Sequence, residues 1–213
     1  MQSGFLKCVQ NVEFSVKLLT SLCPNVKTLT ANRLHDVKWN HALPGFKASL
    51  RELHGRHHEG HTKFTDANRD QFSTLMLSIL PQFPNLEHFA CINAYRLPFS
   101  PGPEIACLTS LELWQCCFCD FAGFGTVLAQ VPALRRLVVE SIKTVDAPGP
   151  LASKVLVRAP KLEEFHFVYW SLWAYWGGAV DDVANVKALY DARGVTFAMY
   201  PDEREQYLLR HAV

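Results

Sequence analysis

The sequence predicts an α/β fold, a right-handed solenoid of horseshoe shape with short parallel strands on its concave face and helices on its convex face. Two observations predict it. Apolar residues recur in a fixed pattern, and the pattern returns at intervals long enough for a helical crossover but too long for hairpins. We expect residues 1–213 to form a single domain of six to seven irregular units, because this length suffices for one core.

The repeated pattern places apolar residues at relative positions 1, 4 and 6 of a short segment, and most copies have a proline two residues ahead of position 1. The clear copies begin at Val26, Leu86, Leu108, Leu134 and Leu162. A weaker copy, with Leu50 and Leu53 but no third apolar residue, falls in the gap after Val26, and "GVTF" at 194–197 predicts a last strand. Side chains alternate along a strand, so positions 4 and 6 share its buried face.

Segments with helical spacing lie between these strands, at 11–22, 66–80, 120–130 and 180–194. In the second segment we expect Asp66 to cap the helix, and Pro81 and Pro84 to end it. In the last segment Gly194 stands where a C-terminal cap belongs. The apolar side of that helix is predicted to comprise Val183, Val186, Leu189 and Tyr190.

The stretch "CLTSLELWQCCFCDF" matches the pattern L-x-x-L-x-L-x-x-N/C-x-L from Leu108 to Phe118. Cys116 stands at its N/C position, so we expect its side chain to turn inward towards the loop that leaves the strand. The alternative is a metal site formed by Cys116, Cys117 and Cys119. Zinc sites of this type usually combine two paired motifs, and the chain has one such cluster, so the structural role is favoured.

The chain resembles leucine-rich-repeat proteins, on the strength of this pattern and of the openings "CPNVKTL" and "FPNLEHF". The irregular unit length is similar to the repeat region of fungal-type F-box adaptors. The resemblance implies a non-enzymatic protein-recognition module, the substrate-binding part of a ubiquitin-ligase adaptor. We find no F-box ahead of the repeats, so binding of the ligase scaffold is expected only for a form of the protein that has one.

A histidine-rich stretch, "LHGRHHEGH", follows the weak unit, and we expect it to be an exposed polar loop. His58 and His61 have two residues between them rather than the three of the helical zinc-protease motif. The alternative function is a metal-dependent or thiol enzyme that uses the His54–His61 loop and the Cys116–Cys119 cluster. The favoured prediction has no catalytic residues, no metal and no cofactor.

An aromatic run at 169–176 falls within the predicted C-terminal capping region, residues 168–213. It contains Tyr169, Trp170, Trp173, Tyr175 and Trp176. We expect these large side chains to cover the exposed end of the core, and the alternative is a patch that binds a partner.

Composition favours a protein partner over a polyanion or a membrane. Charged residues make up 19% of the chain and the formal net charge is +1, so nothing points to nucleic acid. No apolar run reaches the roughly 20 residues of a membrane span. An odd number of cysteines, seven, is a poor disulfide framework, which favours the cytoplasm or nucleus.

The side chains at positions 3, 5 and 7 are predicted to point away from the core and form the concave binding face. The residues expected to contact a protein partner are His88, Ile92, Glu112, Trp114, Arg136, Glu140, Glu164 and His166. Trp114 is the candidate anchor, because tryptophan is enriched in binding hot spots. The alternative is that Trp114 packs on neighbours in the sheet such as Ile92.

Overall fold

The described part of the protein is built on one parallel β-sheet of seven strands, whose order in the sheet is their order in the chain. The structure, a computed structural model, describes residues 25–31, 47–56, 75–92, 102–117, 121–143, 148–169 and 180–201. The strands are β1 Thr28–Ala31, β2 Glu52–Arg56, β3 His88–Ile92, β4 Ser110–Cys117, β5 Arg136–Lys143, β6 Glu164–Tyr169 and β7 Thr196–Pro201. The predicted α/β class with parallel strands is therefore confirmed.

Helices lie in the connections between the later strands. Helix α1 (Phe121–Gln130) follows β4, α2 (Pro148–Arg158) follows β5, and α3 (Val180–Asp191) follows β6. Before β3, a single π-helical turn (Leu75–Ile79) continues into a 3-10 turn (Leu80–Gln82). None of the helices in the described ranges has the length and apolar character needed to cross a membrane.

Helices α1 and α3 confirm two of the predicted helical segments. Gly194 has φ +70° after α3, the left-handed conformation of a C-terminal cap, as predicted. Val186 and Tyr190 are buried, as predicted. Leu189 is 46% exposed, so the prediction that it lies on the apolar side was wrong. At about 100° per residue, Leu189 lies about 80° around the helix from the line between Val186 and Tyr190.

Two helical features differ from the prediction. Helix α2 was not predicted, because its first turn contains Pro148, Gly149 and Pro150, which resemble a loop; proline is nevertheless tolerated in a first helical turn. Pro81 does not end the helical segment before β3, because it is the second of the three residues of the 3-10 turn. Residues 66–74, with Asp66, and the predicted helix at 11–22 lie outside the described ranges.

Two rows of equivalent positions, 4 and 6, cross the sheet in register. The position-4 row is Leu29, Leu53, Phe89, Leu111, Leu137, Phe165 and Phe197, and the position-6 row is Ala31, Gly55, Cys91, Leu113, Val139, Phe167 and Met199. Leu113, Val139 and Phe167 are direct neighbours and at most 2% exposed, as the repeat predicts. Phe124 of α1 and Tyr190 of α3 belong to the same apolar cluster, so the helices cover this face of the sheet.

The recurring proline is explained by the turn that enters each strand. The amide of Leu86 donates to the carbonyl of Phe83 (3.2 Å), and the same bond across four residues recurs at the next units. These bonds are Leu108 to Ile105, Leu134 to Val131 and Leu162 to Ala159. Three of the four turns have proline at their second residue, where its fixed φ suits a β-turn. The turn directs the position-1 side chain into the core.

One backbone contact recurs at the start of the strands and sets their register. The carbonyl of Lys27 accepts hydrogen bonds from the amides of both Arg51 (2.7 Å) and Glu52 (2.9 Å) of the next unit. The carbonyls of Arg51, Glu87, Thr109 and Arg135 each bind the following unit in the same way. Because the same position of each unit is bonded each time, equivalent residues of neighbouring strands stand side by side.

The weak unit at Leu50 is a regular member of the sheet. Strand β2 pairs with β1 and β3, and Leu50 and Leu53 are fully buried. Gly55 occupies position 6, where no apolar residue was found, next to Ala31 and Cys91. His54 was expected in a loop, but it lies within β2, because the strand extends to Arg56.

Strand β4 is longer than the repeat predicts. The repeat predicts that the Cys116 side chain turns inward towards the loop leaving the strand; β4 continues to Cys117, and Cys116 is paired with Ser141 of β5. The register shifts on both sides of Cys116, as happens where a β-bulge accommodates an extra residue. The orientation of the Cys116 side chain lies outside what the structure describes.

Replacing Val139 by Ala should lower the free energy of unfolding by about 2 kcal/mol, because its fully buried side chain loses the equivalent of two methylene groups. Val157→Ala is the matched control: the same atoms are removed from a side chain that is 71% exposed, so the change should be below about 0.5 kcal/mol. Urea unfolding followed by circular dichroism measures both. Equal losses would contradict the interior placement of Val139.

Candidate recognition face

The side chains at positions 3 and 5, with those of Ile92, Trp114, Glu140 and Val168 at position 7, lie on the side of the sheet opposite the helices, and we call this surface the polar face. The position-3 row is Thr28, Glu52, His88, Ser110, Arg136, Glu164 and Thr196. The position-5 row is Thr30, His54, Ala90, Glu112, Val138, His166 and Ala198. Acidic, basic and imidazole groups from β2 to β6 are therefore brought together, although they are far apart in the sequence.

Arg136 lies at the centre of this face between two carboxylates. Its Nη1 donates a short hydrogen bond to Oε1 of Glu112 on β4, and its Nε lies 3.3 Å from Oε2 of Glu164 on β6. The Arg136 side chain is 26% exposed and that of Glu112 is 15% exposed, so this ion pair is only partly solvated. Such a pair is screened less by salt than a pair on the open surface. The three side chains tie together strands β4, β5 and β6.

Two further side chains lie close to the Glu112 carboxylate. Nε1 of Trp114 donates to Glu112 Oε2 (3.1 Å), and Nε2 of His88 lies 3.6 Å from Oε1, beyond hydrogen-bond distance. Burial disfavours the charged carboxylate and alone would raise its pKa, but the neighbouring His88 and Arg136 outweigh burial and lower the pKa of Glu112 to about 2. Glu112 is therefore a fixed negative charge at neutral pH.

Two histidines meet where β2 and β3 pair. The rings of His54 and His88 are 4.6 Å apart between centroids and nearly perpendicular, at 78°. Nε2 of His54 also lies 3.5 Å from Oε2 of Glu52, which accepts a hydrogen bond from the Thr28 hydroxyl (3.0 Å). Burial and the neighbouring His88 lower the pKa of His54, while Glu52 acts in the opposite direction.

A second apolar cluster lies on the polar face. Trp114, Val138 and Val168 are at most 5% exposed, and Ile92 packs against them. The packing of Trp114 on Ile92, one of the two alternatives for this residue, is therefore present. Its role as an anchor stays a prediction, and only a small part of the ring is accessible to a partner.

The eight predicted contact residues differ in accessibility. His88, Ile92, Glu112, Arg136 and Glu164 are partly exposed, whereas Trp114, Glu140 and His166 are buried, at 5%, 1% and 5% exposure. The sequence prediction missed Glu52 and His54, because the weak unit was not assigned face positions. Aligning Leu50 with position 1 places Glu52 at position 3 and His54 at position 5, so the signal was present.

The structure describes only part of the two alternative metal or thiol clusters. His57, His58, His61 and Cys119 lie outside the described ranges, as do the side chains of Cys116 and Cys117 and most of the aromatic run at 169–176. Within the part of the chain that the structure describes, no group of three or more His, Cys, Asp or Glu side chains is arranged to hold a metal ion. The enzyme alternative therefore stays a prediction.

No protein-family model matches this sequence, and a search of curated proteins finds no match. The geometry of the polar face is therefore the basis for assigning a function.

Acid should weaken the wild-type fold partly through Glu112. Its pKa is about 2 in the folded protein against 4.5 ordinarily, so its contribution is complete above about pH 5 and is lost as the pH falls towards 2. Glu112→Gln should remove a contribution of about 3 kcal/mol at neutral pH, and its difference from the wild type should shrink towards pH 2.

Urea unfolding between pH 2.5 and 7 measures this difference. Glu163→Gln, at a side chain that is 59% exposed, is the control and should leave the acid dependence close to that of the wild type. A Glu112→Gln curve parallel to the wild-type curve over this range would show that Glu112 does not stabilise the fold through its charge.

Proposed function

We propose that this protein is a non-enzymatic recognition module, a leucine-rich-repeat solenoid whose polar face binds a protein partner. The observation that supports this best is the network centred on Arg136, in which charged side chains from neighbouring strands are oriented by one another. A face that is ordered before binding loses less conformational entropy when a partner binds.

The sheet supports the solenoid part of this proposal. Its strands are parallel and adjacent in chain order, and each connection returns the chain one strand further along. Interior positions 1, 4 and 6 of successive units contribute to one continuous core. Stacked units of this kind, each covering the apolar side of the next, define repeat architectures.

The electrostatics of the face support binding rather than catalysis. A general base needs a pKa near the working pH, and Glu112, with a pKa of about 2, is too weak a base for that role. The Arg136 guanidinium is shared between Glu112 and Glu164, so it is directed at protein carboxylates. Ionised groups that are hydrogen-bonded to one another in this way are better suited to orienting a partner and matching its charges than to transferring protons.

The resemblance to F-box adaptors extends the proposal to a cellular role. In a form of the protein that includes an F-box, the polar face would select the substrate that the ubiquitin ligase modifies. Such a module would act in the cytoplasm or nucleus, without cofactor or metal, and would contact neither nucleic acid nor membrane.

Binding through the polar face can be tested with two double variants whose substituted positions are shifted by one residue. Arg136→Ala with Glu164→Ala removes a pair on the polar face. Arg135→Ala with Glu163→Ala removes the ion pair between the residues directly before the same two strands. In affinity capture from a cell lysate, quantified by mass spectrometry, the wild type and the second variant should retain the same proteins. The first variant should lose them by about tenfold or more.

Thermal unfolding of both variants shows whether each is folded before capture is compared. Equal capture by the two folded variants would place the binding surface elsewhere on the molecule. If neither the wild type nor either variant captures any protein above background, the result would argue against the recognition function itself.

A further inference from the structure

We propose that the polar face binds an extended basic segment of a partner protein, with Lys or Arg side chains that contact Glu52 and Glu164. This inference rests on the proposed function and specifies the chemistry of the partner. The charge of the face, a repeated pair of side chains and their spacing support it in turn.

The two fully described rows of the polar face are acidic. Positions 3 and 5 of the seven strands contain three carboxylates, Glu52, Glu112 and Glu164, and one permanent cation, Arg136. With the histidines neutral, three negative charges and one positive charge leave a net charge of −2 on these rows. The whole chain has a formal charge of +1, so the excess of negative charge is local to this surface. Complementary charge favours a cationic partner and disfavours nucleic acid.

The same Glu-x-His pair occurs twice on this face. Glu52 and His54 on β2 occupy positions 3 and 5, and Glu164 and His166 occupy the same positions on β6. In both pairs His Nε2 lies 3.5 Å from Glu Oε2. Both carboxylate side chains are 47% exposed, although each is oriented by neighbours. Two accessible, oriented acceptors therefore flank the more enclosed Glu112.

The separation of the two pairs suits an extended segment. Strands β2 and β6 are four strand intervals apart in the sheet, which is about 19 Å at the usual spacing of about 4.8 Å. In an extended chain, residues separated by an even number of positions point to the same side, and six residues span about 20 Å. A segment crossing the strands with two cationic residues about six positions apart can therefore contact both carboxylates.

Protonation of His54 would make the contact sensitive to acid. His54 lies on the same two rows as the carboxylates and Arg136, with its ring against His88 of β3 and its Nε2 near Glu52. Its protonation would change the charge of these rows from −2 to −1. Burial and His88 lower the pKa of His54, so binding of a basic segment should weaken as the pH falls below the ordinary histidine value of 6.5.

Selection from a displayed library of random 16-residue peptides tests the proposal without knowledge of the partner. Peptides enriched on the wild type should be rich in Lys and Arg, with pairs six positions apart over-represented relative to pairs five apart. Glu52→Gln with Glu164→Gln should weaken the best peptide by about tenfold in fluorescence anisotropy at low salt.

The matched control is Glu87→Gln with Glu163→Gln. Their side chains are 50% and 59% exposed and lie at position 2, outside the polar face, and this variant should bind within about twofold of the wild type. Basic peptides that bind both double variants equally would overturn the proposal. Enrichment of acidic or uncharged peptides, or no enrichment at all, would also overturn it. So would binding of a single-stranded oligonucleotide more tightly than the basic peptides. If one of these outcomes occurs but the Arg136→Ala with Glu164→Ala variant still captures fewer lysate proteins than the wild type, the proposed recognition function is supported and only the basic-segment proposal is wrong.

Discussion

The common register of the strands is the constraint on which the rest of the structure depends. From β1 to β6, one carbonyl of each unit accepts two successive amides at the start of the next unit, so the start of each strand is fixed relative to its neighbour. A slip of one residue would exchange the two faces of a strand and expose its interior side chains. The β-turn before β3, β4, β5 and β6 reinforces this register, because it places the position-1 side chain in the core at the same point each time.

The same register determines what the polar face can do. Glu112, Arg136 and Glu164 come from three different strands, and they form a network because equivalent positions stand side by side. The attraction between them is strengthened by partial burial, which excludes water from Glu112 in particular. The face combines an enclosed centre, which stabilises the sheet, with more exposed carboxylates on either side of it.

Periodicity predicted the interior of the fold well and its outer surface poorly. Leu113, Val139 and Phe167 could be aligned from the sequence alone, because alternation along a strand and a repeated motif are local signals. The burial of Trp114, Glu140 and His166 could not, because burial on this face depends on side chains of neighbouring strands, as with Val138, Val168 and Ile92 around Trp114. Glu52 and His54 were overlooked where a glycine at position 6 weakened the motif, and helix α2 was hidden by the prolines of its first turn.

The spacing of the units has an evolutionary consequence. Position 1 recurs after 24, 36, 22, 26 and 28 residues from Val26 to Leu162, yet the strands keep one order and one set of aligned rows. Insertions and deletions between strands are thus accommodated by the crossovers and leave the aligned rows unchanged. Descendants of this chain can therefore diversify the length of each crossover independently, while selection on the short strand segments preserves the surface that those strands share.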